Sequence, residues 1–233
     1  MNNLRLLIII PCYNEQESIA LLLNEIFNCD QGYVTLVIDD GSADNTYRIS
    51  QPLSPTIKLP RNLGIGGAVQ TGIRYAQENN FDLCIQIDGD GQHCPSEVTN
   101  LVKAYKKKPD SIIVGSRYLT NVTFQSTFSR RLGSRMISYA LQTLFSSCNV
   151  TDPTSGMRLM DKKAIAFFAD RYPHDFPEPI SLAWALKAGL TIGEIPVAMR
   201  RREFGNSSIA GLKPIIYMFR VLGYIVLARF TRV

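Results

Sequence analysis

Leu83–His93 reads LCIQIDGDGQH: an apolar run that ends in two aspartates one residue apart, set between glycines. A short continuous apolar run bounded by turn residues predicts a buried strand, here Leu83–Ile87. Carboxylates at the end of such a strand form either an acidic turn or one half of a cation site. The same arrangement occurs twice more: Leu6–Ile10 runs into PCYNE (11–15), and Val34–Ile38 runs into DDGSADNT (39–46). Polar residues therefore gather after the strands, where ligands bind in open α/β sheets. A dinucleotide-binding fold fails at the first of these turns. Pro11-Cys12-Tyr13-Asn14-Glu15 has no glycine to bring backbone close to a pyrophosphate, and the later RNLGIGGA is not that fingerprint.

Working outward, helical patterns separate the strands. Helices are expected over Glu15–Phe27, Gly66–Glu78 and Pro95–Lys107, with one more starting in DDGSADNT, and further strands at Thr56–Lys58 and Ser111–Gly115. Alternation of Ile/Val/Leu runs with helices predicts an α/β domain with a mostly parallel central sheet covered by helices on both faces. The second half reads differently: an amphipathic helix over Ser129–Ser146, then TDPTSGMRLM, a helix from Lys162, the proline-broken RYPHDFPEP, and helix and strand patterns through Leu190–Val197. Neither repeats nor a linker interrupt the chain, so 1–210 reads as one domain and 211–233 as an apolar and basic C-terminal helix.

The bulk composition bounds the rest. The 233 residues are enough for one large domain with a buried core. A net charge of +5 comes without an aromatic-interleaved basic stripe or a nucleic-acid motif, which excludes a nucleic-acid partner. Five cysteines, odd in number and never spaced CxxC, indicate reduced thiols and no zinc site. The N-terminus has no signal-peptide pattern, so the expected location is the cytoplasm.

Seven stretches in order carry a resemblance: IIIPCYNEQESI at 8–19, VIDDGSADNT at 37–46, NLGIGGAVQTGI at 62–73, QIDGDGQHCP at 86–95, GSRY at 115–118, DPTSGMRLM at 152–160 and EIPVAMRRREFGNSSI at 194–209. Together they resemble glycosyltransferase family 2, with the GT-A fold, over nearly the whole chain. Within it the likeness is greatest to the dolichol- and polyprenyl-phosphate mannose synthase group. The resemblance implies a metal-dependent, inverting hexosyl transfer from a nucleoside-diphosphate sugar to a polyprenyl (undecaprenyl or dolichyl) phosphate. Two other readings stand beside it: extension of a cell-surface polysaccharide or lipid-linked oligosaccharide, and a catalytically silent nucleotide-sugar-binding subunit.

The residues suit that chemistry. Expelling a diphosphate builds negative charge that Mg²⁺ or Mn²⁺ neutralises, and these hard cations take oxygen ligands. Asp88, Asp90 and the Gln92 amide offer oxygens at alternate positions, while Gly89 and Gly91 let the backbone approach a bulky ligand. The resemblance implies that Asp90 and Gln92 touch the metal and that Asp88 lies nearer the nucleotide or a metal-bound water. It also places Pro11, Tyr13 and Glu15 against the base and ribose, with Asp39 reading the base edge. As local structure, Asn14 could cap a helix starting near Glu15, and Asp40 could cap the next turn. The glycines at 64, 66 and 67 read as a helix start packed on the sheet.

On the acceptor side, a hydroxyl needs a general base. A phosphate monoester, with a second pKa of about 6, attacks unaided and needs cations to hold it. Arg117 resembles the family's acceptor-phosphate arginine, and Arg131 and Ser134 its second phosphate contact. Arg130 and Arg135 read as a basic surface. Asp152 is a candidate base or orienting group, Glu178 a weaker candidate base, and His93 and His174 are loop residues. One departure stands out: the mannose synthases carry a GxSK-like loop whose lysine holds the diphosphate, and here a serine replaces it in REFGNSS (202–208), leaving Arg202 to compensate. Finally, LKPIIYMFRVLGYIVLARFTRV (212–233) is apolar but interrupted by Lys213, Arg220 and Arg229, which disfavours a spanning helix. It reads as an interfacial helix at the inner face of the cell membrane, or as one packed on the domain, a membrane-protein partner or a second copy.

Overall fold

A computed structural model describes residues 4–29, 32–119, 128–145, 148–200 and 213–231. Its strands are β1 (Leu6–Cys12), β2 (Val34–Asp39), β3 (Thr56–Lys58), β4 (Leu83–Gln86), β5 (Ile112–Ser116), β6 (Arg158–Asp161) and β7 (Ile192–Pro196). They form a seven-stranded sheet in the order β3-β2-β1-β4-β6-β5-β7. Each pairing is parallel except those of β6, which runs antiparallel to both β4 and β5. The α/β, mostly parallel arrangement is the one expected; the reversed β6 is not. Its physical consequence is large. The chain enters β6 from the edge where the other strands end, so the DPTSG loop before it joins the polar turns.

The helices are α1 (Ile19–Asn28), α2 (Thr46–Ser50), α3 (Gly64–Glu78), α4 (Glu97–Lys107), α5 (Phe128–Leu144), α6 (Lys162–Asp170), α7 (Pro177–Lys187) and α8 (Lys213–Phe230). The period-two alternation of a strand splits β1 between two cores. Ile8 and Ile10 pack with Leu22 and Ile26 of α1 and Val98 and Leu101 of α4. Leu7 and Ile9 face the opposite layer, with Val69 and Ile73 of α3, Ile137 of α5, Leu182 of α7 and Ile225 of α8. A sheet buried on both faces explains why β1, and β4 up to Gln86, run continuously apolar rather than at alternate positions.

Two helix starts differ from expectation. α1 begins at Ile19, because Asn14 adopts φ 56° and serves as a turn residue instead of a cap. Asp40 caps α3 rather than its own turn: Oδ1 accepts from Leu63 N–H at 2.7 Å and Oδ2 from Gly64 N–H at 2.9 Å. Amides at a helix start lack intrahelical acceptors, and Gly64 N–H is shared with Asn62 Oδ1 at 3.0 Å. Burial pushes the Asp40 carboxyl above the ordinary aspartate range.

α8 packs on α7 and α5 through Val221, Ile225 and Ala228, a stripe with helical spacing. Lys187 Nζ closes its far end by donating to the carbonyls of Ala228, Arg229 and Thr231. Phe176, held at φ 49° before α7, meets Tyr217 edge-on at 4.7 Å. No helix among the described residues is long and apolar enough to cross a membrane.

Candidate active site

The carboxyl ends of β1, β2, β4 and β5 and the start of β6 share one edge of the sheet. Register fixes this: Cys12 lies beside Asp39, Ile9 beside Gln86, and Arg158 beside both Gln86 and Val114. The first two turns are laced together. Asn14 N–H donates to Ser42 Oγ at 2.9 Å, Ala43 N–H to Asn14 Oδ1 at 2.9 Å, and Glu15 N–H to Thr46 Oγ1 at 2.8 Å. Pro11 is buried, its carbonyl accepting from Gly89 N–H, while Tyr13 is 48% exposed at the rim. Ser18 Oγ lies 2.8 Å from the Gly89 carbonyl and 3.0 Å from Glu15 Oε2, its single proton serving either acceptor, and so joins this turn to IDGDGQH.

Asp39 is the most telling side chain of this half. It is fully buried; Oδ1 accepts from Ser42 N–H at 3.1 Å, yet Oδ2 has no hydrogen-bond partner. A buried acceptor left unmade costs on the order of 1–3 kcal/mol. Such a cost is tolerated where a ligand supplies the missing donor, as the N–H edge of a base would.

In IDGDGQH, Asp88 N–H donates to His93 Nδ1 at 3.0 Å, and Gln86 Nε2 donates to Asp88 Oδ1 at 2.8 Å. His93 is buried and shapes the turn by accepting at Nδ1. Asp90 Oδ1 accepts from Gln92 N–H at 3.0 Å, an Asx turn that sets the two carboxylates apart. Gln92 Nε2 donates to the Arg200 carbonyl at 3.3 Å, committing the nitrogen end of the amide. The glycines here serve the protein more than a ligand. A Cβ on Gly89 would collide with Cys12 Sγ, and Gly91 adopts φ 75°. Cys12 is itself buried, and burial, aided by Glu15, Asp39, Asp88 and Asp90, holds its thiol protonated.

The residues expected on the acceptor side lie after β5, on α5 and in the loop before β6. Arg117 meets Asp152 in a bidentate pair, Nε to Oδ2 at 2.7 Å and Nη2 to Oδ1 at 2.7 Å, and Nη2 also donates to Thr154 Oγ1 at 2.8 Å. The Asp152 side chain is fully buried and that of Arg117 is 16% exposed. Burial works against the guanidinium charge, but the Asp152 bonds outweigh it and raise the Arg117 pKa. Both Asp152 oxygens are thus engaged, which suits an orienting group better than a base. Ser134 is buried on α5, its hydroxyl donating to the Thr151 carbonyl at 3.4 Å, so it ties α5 to this loop. Arg131 lies exposed one turn earlier on α5. Glu178 lies at the start of α7, where burial raises its carboxyl pKa against the opposing pull of Arg158. Arg202 lies outside the described residues.

The sequence profile described as Glycosyl transferase family 2 matches residues 7–167, which include every turn just described except the β7 end. The chain belongs to this family. This family 2 glycosyltransferase is 29% identical over 231 residues to the UDP-N-acetylglucosamine–dolichyl-phosphate N-acetylglucosaminyltransferase of Methanococcus voltae, covering 88% of this chain and 91% of the relative. Polyprenol monophosphomannose synthase of Mycolicibacterium smegmatis is 27% identical, with 98% and 89% covered. An undecaprenyl-phosphate 4-deoxy-4-formamido-L-arabinose transferase of Photorhabdus laumondii is 31% identical, with 92% and 66% covered. Among solved structures, glucosyl-3-phosphoglycerate synthase of Mycobacterium tuberculosis, crystallised with Mn²⁺, UDP and product, superimposes with a TM-score of 0.70 at 17% identity. That match covers 97% of this chain and 80% of the other, and shows the GT-A fold.

Three residues of the candidate site were not singled out from sequence. Gln86 holds Asp88 together with His93, which is the loop residue expected; Glu194 on β7 accepts from the Thr151 and Asp152 amides at 2.8–3.0 Å; and Arg158 braces the DPTSG loop. Gly156 belongs with them, because a Cβ there would lie 2.7 Å from Asp88 Oδ2. Only Arg158 carried a signal, as a charged residue inside an otherwise apolar strand pattern.

Proposed function

We propose that this enzyme moves a sugar from a nucleoside-diphosphate sugar to a polyprenyl phosphate, with inversion. A phosphate oxygen of the lipid attacks the anomeric carbon, the bond from that carbon to the diphosphate oxygen breaks, and the nucleoside diphosphate leaves. The observation that carries this reading is the Arg117–Asp152 pair. It offers a cation to hold a phosphate, while the nearby carboxylate is already doubly occupied. The relatives named for lipid-phosphate acceptors span nearly the whole chain, which supports the same acceptor.

Donor binding divides between Asp39, Glu15, Tyr13 and Pro11 for the nucleoside and Asp88, Asp90, Gln92 and Arg202 for the diphosphate. No cluster of three or more His, Cys, Asp or Glu able to hold a metal occurs among the described residues. Two carboxylates and an amide make only part of an oxygen set, which fits Mg²⁺ or Mn²⁺ completed by diphosphate oxygens and water. Bound there, the ion would neutralise charge on the departing diphosphate. The deciding assay combines purified protein, labelled nucleotide sugars and Mn²⁺ with either polyprenyl phosphate or saccharide acceptors. Transfer to saccharides alone overturns the proposal, and absence of both transfer and metal-dependent donor hydrolysis favours a silent binding subunit.

The orphaned Asp39 oxygen yields a separate expectation. Asp39→Asn should weaken nucleotide binding by about 10- to 100-fold, the worth of one hydrogen bond to a charged group. Calorimetry with UDP and GDP measures it, and an unchanged dissociation constant removes Asp39 from the nucleoside site.

A membrane surface is the remaining partner. Opposite its buried stripe, α8 exposes Phe219, Leu227 and Phe230, with Arg220 and Arg229 also exposed, and α5 exposes Leu132, Met136 and Tyr139 beside Arg131 and Arg135. Neither helix contains an acidic residue. An apolar face edged by arginines matches an anionic lipid surface, here the cytoplasmic face of the cell membrane. Wild-type protein should sediment with vesicles containing anionic phospholipid, less so at high salt. Phe219→Glu with Phe230→Glu should abolish this, and a salt-independent dimer in place of vesicle binding would assign the face to a second copy.

A further inference from the structure

We propose that Arg158 is the positioning residue that sets the acceptor loop, and through it the orientation of Arg117. Arg158 is 2% exposed, the largest of the fully buried side chains. Three of its N–H groups donate to uncharged oxygens: Nη2 to the Pro153 carbonyl at 2.8 Å, Nε to the Ser155 carbonyl at 2.9 Å, and Nη1 to Ser181 Oγ on α7 at 2.8 Å. No carboxylate among the described residues lies within salt-bridge distance of it. A buried cation in that state carries a desolvation penalty of several kcal/mol. Burial accordingly pulls its pKa below the usual arginine value. A position whose only task was to fill the core would be served better by Met or Leu.

The fork reaches across the loop instead. Pro153 and Ser155 flank Thr154, whose hydroxyl meets Arg117, and Pro153 directly follows Asp152, which holds the same guanidinium on two oxygens. Arg158 therefore fixes the backbone on both sides of Thr154 and directly after Asp152. A planar guanidinium suits three oxygens in fixed directions; a lysine ammonium on a flexible stem does not. The donor half is held by other groups: Asp88 by Gln86 and the His93 turn, and the nucleoside turn by Ser42 and Thr46. Loss of the fork should be felt on the acceptor side first.

This rests on Arg117 facing the acceptor, and the test separates the two claims. Arg158→Met, Arg158→Lys and Ser181→Ala are compared with wild type, below the unfolding midpoint of each, for acceptor KM, kcat and the nucleotide dissociation constant. The expected result is an acceptor KM raised by roughly tenfold or more in Arg158→Met, equivalent to losing one charge-assisted hydrogen bond. Arg158→Lys should fail to restore it, Ser181→Ala should shift it less in the same direction, and nucleotide affinity should stay at the wild-type value. If Arg158→Met does not fold, the other two variants carry the comparison. A lowered unfolding midpoint with unchanged acceptor KM in Arg158→Lys and Ser181→Ala overturns the proposal, as does an equal loss of nucleotide affinity. Wild-type protein that glycosylates saccharides and not polyprenyl phosphate overturns the acceptor assignment instead. The same comparison made with the saccharide still decides Arg158.

Discussion

Replacing Arg117 by Ala is expected to raise the KM for polyprenyl phosphate by about 100-fold, the equivalent of roughly 2.7 kcal/mol. A charge-assisted hydrogen bond to phosphate is roughly twice as strong as a neutral one. The substitution also strands Asp152, fully buried, without the guanidinium that both its oxygens accept from. Breaking a buried pair by removing one partner costs about 3–5 kcal/mol of stability, so the unfolding midpoint should fall as well. Asp152→Asn separates these effects, since it keeps the shape and removes the charge. For a phosphate acceptor, Asp152→Asn should lower kcat far less than Arg117→Ala raises the acceptor KM. The double variant should be little worse than Arg117→Ala, because residues in contact do not add. A large loss of kcat in Asp152→Asn with an unaltered acceptor KM in Arg117→Ala would reverse the assignment and make Asp152 the base for a hydroxyl.

Asp90→Ala carries the second large effect, on turnover. Removing a group that stabilises charge developing on a leaving group costs about 10²–10³ in kcat. The metal concentration for half-maximal rate should rise with it, since fewer protein oxygens remain to hold the ion. Folding should survive, because Asp90 is only half-buried and sits in the turn after β4 rather than in the core. Asp88→Ala is a less clean probe, because it also leaves the Gln86 amide unpaired inside the sheet. Near-normal turnover of Asp90→Ala across a manganese titration would remove this turn from the metal site.

Much of this was legible in the chain. Continuous apolar strands signal a sheet covered on both faces, and β3 falls on Thr56–Lys58 as expected. Turn chemistry after three strands located one half of the candidate site, since each turn follows its strand within a few residues. Boundaries were less legible. The helix expected from Glu15 starts at Ile19, because Asn14 and Glu15 are spent linking to Ser42 and Thr46, partners some thirty residues away. Asp40 shows the same limit: its role as the cap of α3 depends on a loop more than twenty residues downstream.

The sequence by itself determined the family, the sheet and the three acidic or polar turns, because those depend on local pattern and on short spacing. Tertiary structure decided what faces what. The antiparallel β6 brings DPTSG beside Asp88, so that one edge holds this loop together with the three polar turns. It also turns Asp152 from a candidate base into the partner of Arg117, and leaves Asp39 with one unsatisfied oxygen. Burial and long-range hydrogen bonds set each of these, and neither is written in the spacing of residues along the chain.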